Sequence, residues 1–239
     1  MELKNAGIIE YVDFSTEGIE EERQRLNFPH EGFDAPLIYR RLKVEDTLQI
    51  WGLLKDSAES LRPFTPFGKY IKGWGFGHVQ QFVRDHMEVE ERRESFVFLI
   101  GKKIVGMGSI APLANDWDIQ VALWVGQSYQ GKGIGARIVA TLEWYAFEVW
   151  GFPRLYYYHE LTNEASMNLP IKCKFEPNDP FIQFDYNYTD RELVPWCMWI
   201  KWRDPNLEPG IFQGAPLEPF TQVRHQTRRN ALGVPLDPY

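Results

Sequence analysis

From Pro36 onward the chain switches between two hydrophobic periods. Alternation every second residue, or a short apolar run, marks strands; spacings of three and four residues mark helices. "LIYRRL", residues 37–42, reads as a strand. "VEDTLQIWGLLKDSAESL" sets Leu48, Trp51, Leu54 and Ala58 near helical spacing, and the prolines of "LRPFTPFGKY" end that helix. "GFGHVQQFVRDHMEVEERR" is a second helix. "SFVFLIGKKIVGMGSIAPL" holds two β-rich runs joined by "GKK", a hairpin signal. "IQVALWV" is the next strand. Ile134, Ile138, Leu142, Tyr145 and Val149 then line one face of an amphipathic helix, Ile134 to Trp150. "RLYYYHE", "FIQFDYNY" and "VPWCMWIKW" are later strands, and in the last of them Trp196, Met198, Ile200 and Trp202 share a face. Helices, a hairpin, strand–helix–strand and further strands predict an α/β fold with a mixed, mostly antiparallel sheet.

The flanks read differently. Residues 1–34 form an irregular N-terminal extension with a short helix in "EGIEEERQRL". Residues 35–203 carry the regular pattern. Residues 204–239 hold six prolines and no periodicity, a Pro-rich C-terminal tail. A chain of 239 residues that is 44% hydrophobic suffices for one full core with additions. A net charge of −7 argues against a nucleic-acid binder. The one basic patch, "RHQTRRN" at 224–230, reads as a solvated or partner-facing cluster. Two cysteines and five scattered histidines suggest neither a disulfide framework nor a metal site. No signal peptide pattern opens the chain, and no apolar run approaches the ~18 residues of a membrane span. A reduced, cytoplasmic setting is the expectation.

Candidate chemistry concentrates in "WVGQSYQGKGIGARIV", residues 124–139, with glycines at 126, 131, 133 and 135. A Walker A loop ends in Lys-Ser/Thr; here Gly133 follows Lys132, so the Mg²⁺-holding hydroxyl is missing. A dinucleotide fingerprint fits Gly131, Gly133 and Ala136, with Glu160 as the ribose acid. Five residues separate Val125 from Gly131, however, where that fold puts the first glycine at the strand end. The third reading is a pyrophosphate loop, [QR]-x-x-G-x-[GA], matched by Gln130, Gly133 and Gly135. Backbone N–H groups of Lys132, Gly133, Ile134, Gly135 and Ala136 then converge on an anion at the positive end of a helix.

With that loop, the chain resembles the GNAT superfamily of acetyl-CoA-dependent N-acetyltransferases, and within it the ribosomal-protein N-terminal (alanine/serine) acetyltransferases. The likeness spans roughly Leu37 to Arg203. It is carried by "LRPFTPF", by "YQGKGIGARIVATLEWYAF", by the N-x-x-S of "TNEAS", and by "KF" at Lys174–Phe175, where the family has Gly-Phe. The resemblance implies a sheet whose central parallel strands splay apart, with acetyl-CoA in the gap. Its pantetheine arm would pair with the backbone of "VALWV", which ends at Val125. Gln130, Gly131, Gly133 and Gly135 would hold the pyrophosphate, Asn163 would contact the cofactor, and Ser166 would lie near the thioester sulfur.

Acetyl transfer needs a deprotonated amine, a polarised carbonyl and a protonated leaving thiolate. Many members of the family place a glutamate base on the strand before the loop; here that position is Gln120, which can orient a water. Members outside the ribosomal branch often carry a tyrosine acid seven residues after the asparagine; here it is Pro170. Lys174 replaces the glycine before Phe175. Glu160, His159, Asp118 and Ser166 are the candidate substitutes, each with a plainer role open to it as a solvated strand end, a satisfied histidine or a helix cap. Tyr156, Tyr157 and Tyr158 read as core and sheet-face aromatics. Two functions follow. One is an N-acetyltransferase acting on an amine of a protein or small molecule. The other is a GNAT-like domain with reduced catalysis, serving as an assembly part or homo-oligomer held by residues 204–239.

Overall fold

The computed structural model describes residues 37–87, 93–113, 118–186 and 192–204. The N-terminal extension and all of the tail past Asp204 lie outside the described residues, as does the helix expected in "EGIEEERQRL". Seven strands form one sheet: β1 (Leu37–Arg41), β2 (Glu94–Ile100), β3 (Lys103–Pro112), β4 (Ile119–Val125), β5 (Arg154–Glu160), β6 (Glu176–Tyr186) and β7 (Leu193–Trp202). Their order is β1-β2-β3-β4-β5-β7-β6. Every pairing is antiparallel except β4 with β5.

Both faces are covered. On one face α1 (Thr47–Asp56), α2 (Ala58–Leu61) and α3 (Phe76–Met87) bury Ile50, Leu54, Val79 and Val83 against Val97, Leu99 and Met107. On the other, α4 (Ile134–Trp144) and α5 (Glu164–Lys172) bury Ile134, Ile138 and Leu142 against Phe96, Phe98, Ile119 and Val121. From Phe96 onward strand β2 is therefore apolar: Phe96 and Phe98 serve one face, Val97 and Leu99 the other.

Two helix faces differ from the sequence expectation. Leu48 is 64% exposed, and α1 buries Thr47, Ile50, Leu53 and Leu54 instead. The chain enters this helix through Asp46, which accepts from the Lys43 N–H at 2.9 Å and takes both arms of the Arg40 guanidinium, at 2.7 and 2.5 Å. Those bonds fix the rotational phase. Val149, expected on the buried stripe of α4, is 48% exposed. A wide turn over Tyr145–Val149, closed by Trp150 N–H to Tyr145 C=O at 3.0 Å, shifts the phase and turns Ala146 and Phe147 inward. Strand β6 starts earlier than "FIQFDYNY", at Glu176, and its register with β7 slips between Pro177 and Ile182.

The parallel pair sets up the site. β4 and β5 match only at Ile119–Leu155, Gln120–Tyr156 and Val121–Tyr157. Beyond that β4 stays with β3 as far as Val125, and β5 stays with β7 as far as Glu160. At the closed end, Arg154 pairs with the fully buried Asp118. Asp118 thus pins the strand starts together, away from the opening. Removing one member of a buried ion pair strands the other charge. Arg154→Met is expected to destabilise the fold by about 3–5 kcal/mol in urea unfolding.

Helix α5 ends in a Schellman arrangement. The Lys174 N–H reaches Ile171 C=O at 3.1 Å, and the Phe175 N–H reaches Pro170 C=O at 2.9 Å. Lys174 holds φ +60°, the left-handed conformation that glycine adopts without cost. Lys174→Gly should therefore stabilise the chain by about 0.5–1 kcal/mol, the left-handed cost less the added freedom of an unfolded glycine. Thermal unfolding reads it as a rise of a few degrees.

Candidate active site

The loop between β4 and α4 is tied down at its base. The Gly126 N–H donates to Val105 C=O at 2.9 Å, and the Gln127 N–H donates to the Ser57 hydroxyl at 3.0 Å. Gln130 folds back, its Nε2 donating to Val125 C=O at 2.9 Å. Lys132 Nζ caps Ser128 C=O at 2.8 Å. Gly131 and Gly133 have φ of +73° and +75°, and Gly133 is the residue from which α4 starts. The structure shows open space around both glycines, so positive φ, not crowding, is the visible reason for them.

Ile134 is buried and anchors the helix start, and Gly135 lies against Leu169 of α5. Among the described residues, the N–H groups of Gly133, Ile134, Gly135 and Ala136 meet no backbone carbonyl. They face outward at the positive end of α4, on a loop that bears Lys132 and Arg137 and no acidic residue. Such an arrangement can seat an anion, beside the gap that opens between β4 and β5. Its donors fit a pyrophosphate.

Across the gap stands the end of β5. Asn163 accepts from the Ser166 N–H at 3.1 Å and so caps α5; Ser166 itself is not the cap. Ser166 is half-buried near Tyr157, whose phenol burial pushes up to about 12. Pro170 lies within α5, so the helix there lacks one N–H.

His159 is 3% exposed, and both its nitrogens are taken. Trp199 Nε1 donates to Nε2 at 2.9 Å, and Nδ1 meets Glu160 C=O at 2.9 Å. That fixes the neutral tautomer with the proton on Nδ1, and burial lowers its pKa. With no nitrogen left for a substrate, His159 packs the strand end and is corrected here to a structural group. Asp118 is corrected likewise, to the Arg154 pair. Gln120 sits opposite Tyr156 in the last stretch of parallel pairing. Glu160 is 7% exposed; its Oε1 accepts from the Thr162 hydroxyl at 2.5 Å, and its Oε2 has no hydrogen-bond partner among the described residues. Sequence reasoning missed Tyr157 and Trp199. Alternation along β7 places Trp199 and Cys197 on the face opposite Trp196 and Met198, which was the available signal.

Comparison with known proteins agrees with this geometry. The profile of the acetyltransferase (GNAT) family matches residues 55–175. Among solved structures, the chain resembles the acetyltransferase from Salmonella typhimurium that modifies the N-terminal serine of ribosomal protein L7/L12. That likeness has a TM-score of 0.61 and 15% identity, over 70% of this chain and 95% of that one. The ribosomal-protein-S5-alanine acetyltransferase from Vibrio fischeri matches at TM-score 0.58 and 22% identity, over 75% and 96%. The microcin C7 self-immunity acetyltransferase MccE, solved with acetyl-CoA and AMP, matches at 0.62 and 14%, over 71% and 93%. A search of curated proteins gives no match. With a mixed sheet that parts between its two parallel strands and a family profile covering half its length, the chain belongs to the acetyltransferase (GNAT) family, N-acetyltransferases by class.

Proposed function

We propose that the chain moves the acetyl group of acetyl-CoA onto an amine, and that the acceptor is the N-terminal amine of a protein. The outward N–H groups of Gly133 to Ala136, beside the parted strands, carry this reading. The solved neighbours that modify ribosomal proteins support a protein acceptor.

In this reading the pyrophosphate of the cosubstrate rests on the loop, held by backbone from Gly131 to Ala136 with Lys132 and Gln130 at its rim. Beyond Val121, β4 has no partner strand on its β5 side among the described residues, which leaves backbone groups up to Val125 for the amides of the pantetheine arm. Asn163 spends its Oδ1 on the helix cap and keeps its amide N–H₂ for the cofactor. As the amine lone pair forms the C–N bond and the C–S bond breaks, Ser166 gives its proton to the departing sulfur. The buried Tyr157 phenol near it stays protonated at neutral pH.

Calorimetric titration of the full chain with acetyl-CoA should give a Kd on the order of 1–100 µM. Gly133→Asp adds a carboxylate under the anion and should weaken binding at least about tenfold, roughly 1.4 kcal/mol. Absence of binding at about 1 mM would overturn the reading. A thiol-release assay, with peptides bearing N-terminal serine or alanine, tests the chemistry. Ser166→Ala should lower kcat about a hundredfold and leave the acetyl-CoA Kd unchanged.

A further inference from the structure

The sheet separates its titratable groups by face. Along β5, Tyr157 and His159 point toward α4 and α5, where Tyr157 joins the core of Ile134 and Leu142. Tyr156 points the other way, into a small cluster with Met198 and Ile200 against which Tyr158 packs. Alternation puts Glu160 on this second face. Gln120 stands opposite Tyr156, so it shares the face with Glu160. Ser166, on α5 and near Tyr157, serves the first face.

Glu160 lies three residues past the last parallel pair, about 10 Å along the strand. It is 7% exposed, Thr162 satisfies one oxygen, and the other oxygen has no partner among the described residues. A buried carboxylate oxygen lacking a donor is unfavourable, and such a group persists where a ligand brings the donor. The ligand that suits it is a cation with N–H bonds. Beneath it, the stacked rings of Tyr156 and Tyr158, 6.0 Å apart, offer an apolar and π-rich wall to the carbon next to that cation.

We propose that Glu160 binds the acceptor's ammonium group and removes its first proton, doing from β5 what the amide of Gln120 cannot do from β4. This rests on the acetyl-transfer reading. The acceptor enters on the Gln120–Glu160 face, while the thiolate is protonated from the Ser166 face. The ammonium loses one proton to the Oε2 of Glu160. The free amine then attacks the thioester carbon, the C–N bond forms and the C–S bond breaks, with the electron pair leaving on sulfur. The sulfur takes a proton from Ser166, the second amine proton restores that hydroxyl, and Glu160 releases its proton to solvent. One primary ammonium and one acetyl-CoA thus give one amide, one thiol and one proton. An alcohol brings neither charge nor a second N–H bond, so the site discriminates against it.

The test is calorimetric titration of the full chain, saturated with CoA, with n-butylammonium chloride and separately with n-butanol. The unaltered protein should bind the cation at least about tenfold more tightly, as a charged hydrogen bond implies. Glu160→Gln should erase that preference while leaving the affinities for butanol and CoA unchanged. Its melting temperature without ligand should rise, since an unpaired buried charge is gone. Equal binding of the cation by the two proteins, or a variant that melts lower or fails to fold, overturns the proposal. So does an unaltered chain that binds butanol as well as the cation, a comparison needing no variant. Failure to bind CoA with the cation preference intact would sink the acetyl-transfer reading and leave an amine site standing.

Discussion

The molecule depends on a parallel ladder that is allowed to run for only three residue pairs. Asp118 and Arg154 hold its start, buried and oppositely charged. Past Val121 and Tyr157 each strand remains bonded to its outer neighbour and, among the described residues, to nothing across the gap. An opening in a sheet exposes backbone donors and acceptors that ordinarily find partners. That opening is stable because the antiparallel halves on either side are complete. The site is therefore a consequence of where pairing stops, and the side chains around it decorate an architecture set by backbone hydrogen bonds.

Each component of the proposed reaction then has a place set by strand alternation. The loop glycines and the first turn of α4 lie at one rim. Ser166 and Tyr157 lie beneath the face that α4 and α5 cover. Gln120, Tyr156, Tyr158 and Glu160 lie on the opposite face. His159, which the sequence offers as an acid or base, is immobilised by Trp199, and its placement shows how a histidine one residue from the Glu160 carboxylate becomes a packing group. The strand turns the two side chains in opposite directions.

Most elements were legible from periodicity because strand and helix burial follow the backbone repeat. Phase was less legible. Leu48 and Val149 miss the buried stripe because the helix entry at Asp46 and the wide turn at Tyr145 rotate it, and neither leaves a mark in the hydrophobic pattern. The sequence reading began β6 at Phe181, whereas the structure starts it at Glu176 and carries Pro177 and Pro180 through a register slip. The turns at 131 and 133 were legible, since glycine adopts their positive φ at the least cost. The departures at the catalytic end were visible as departures, but their resolution was not. Asp118 finds Arg154 36 residues away and His159 finds Trp199 40 residues away. No local spacing encodes such contacts.

The docking of α4 carries a mechanical corollary. A methyl group added at Gly106 would meet Trp124 C=O at 2.8 Å and Ile138 Cδ1 at 3.1 Å. At Gly108 it would meet Ile138 Cγ2 at 2.7 Å and Leu142 Cδ1 at 3.0 Å. Two missing methyls on β3 therefore set the height at which the helix rides over the sheet. The helix is stiff, so lifting its middle also tilts its first turn, the proposed anion cradle. The clearance between cradle and parted strands is thus gauged by hydrogen atoms about 25 residues upstream of the loop. A change there would detune the proposed seat without touching it, as a shim under a bearing moves the shaft.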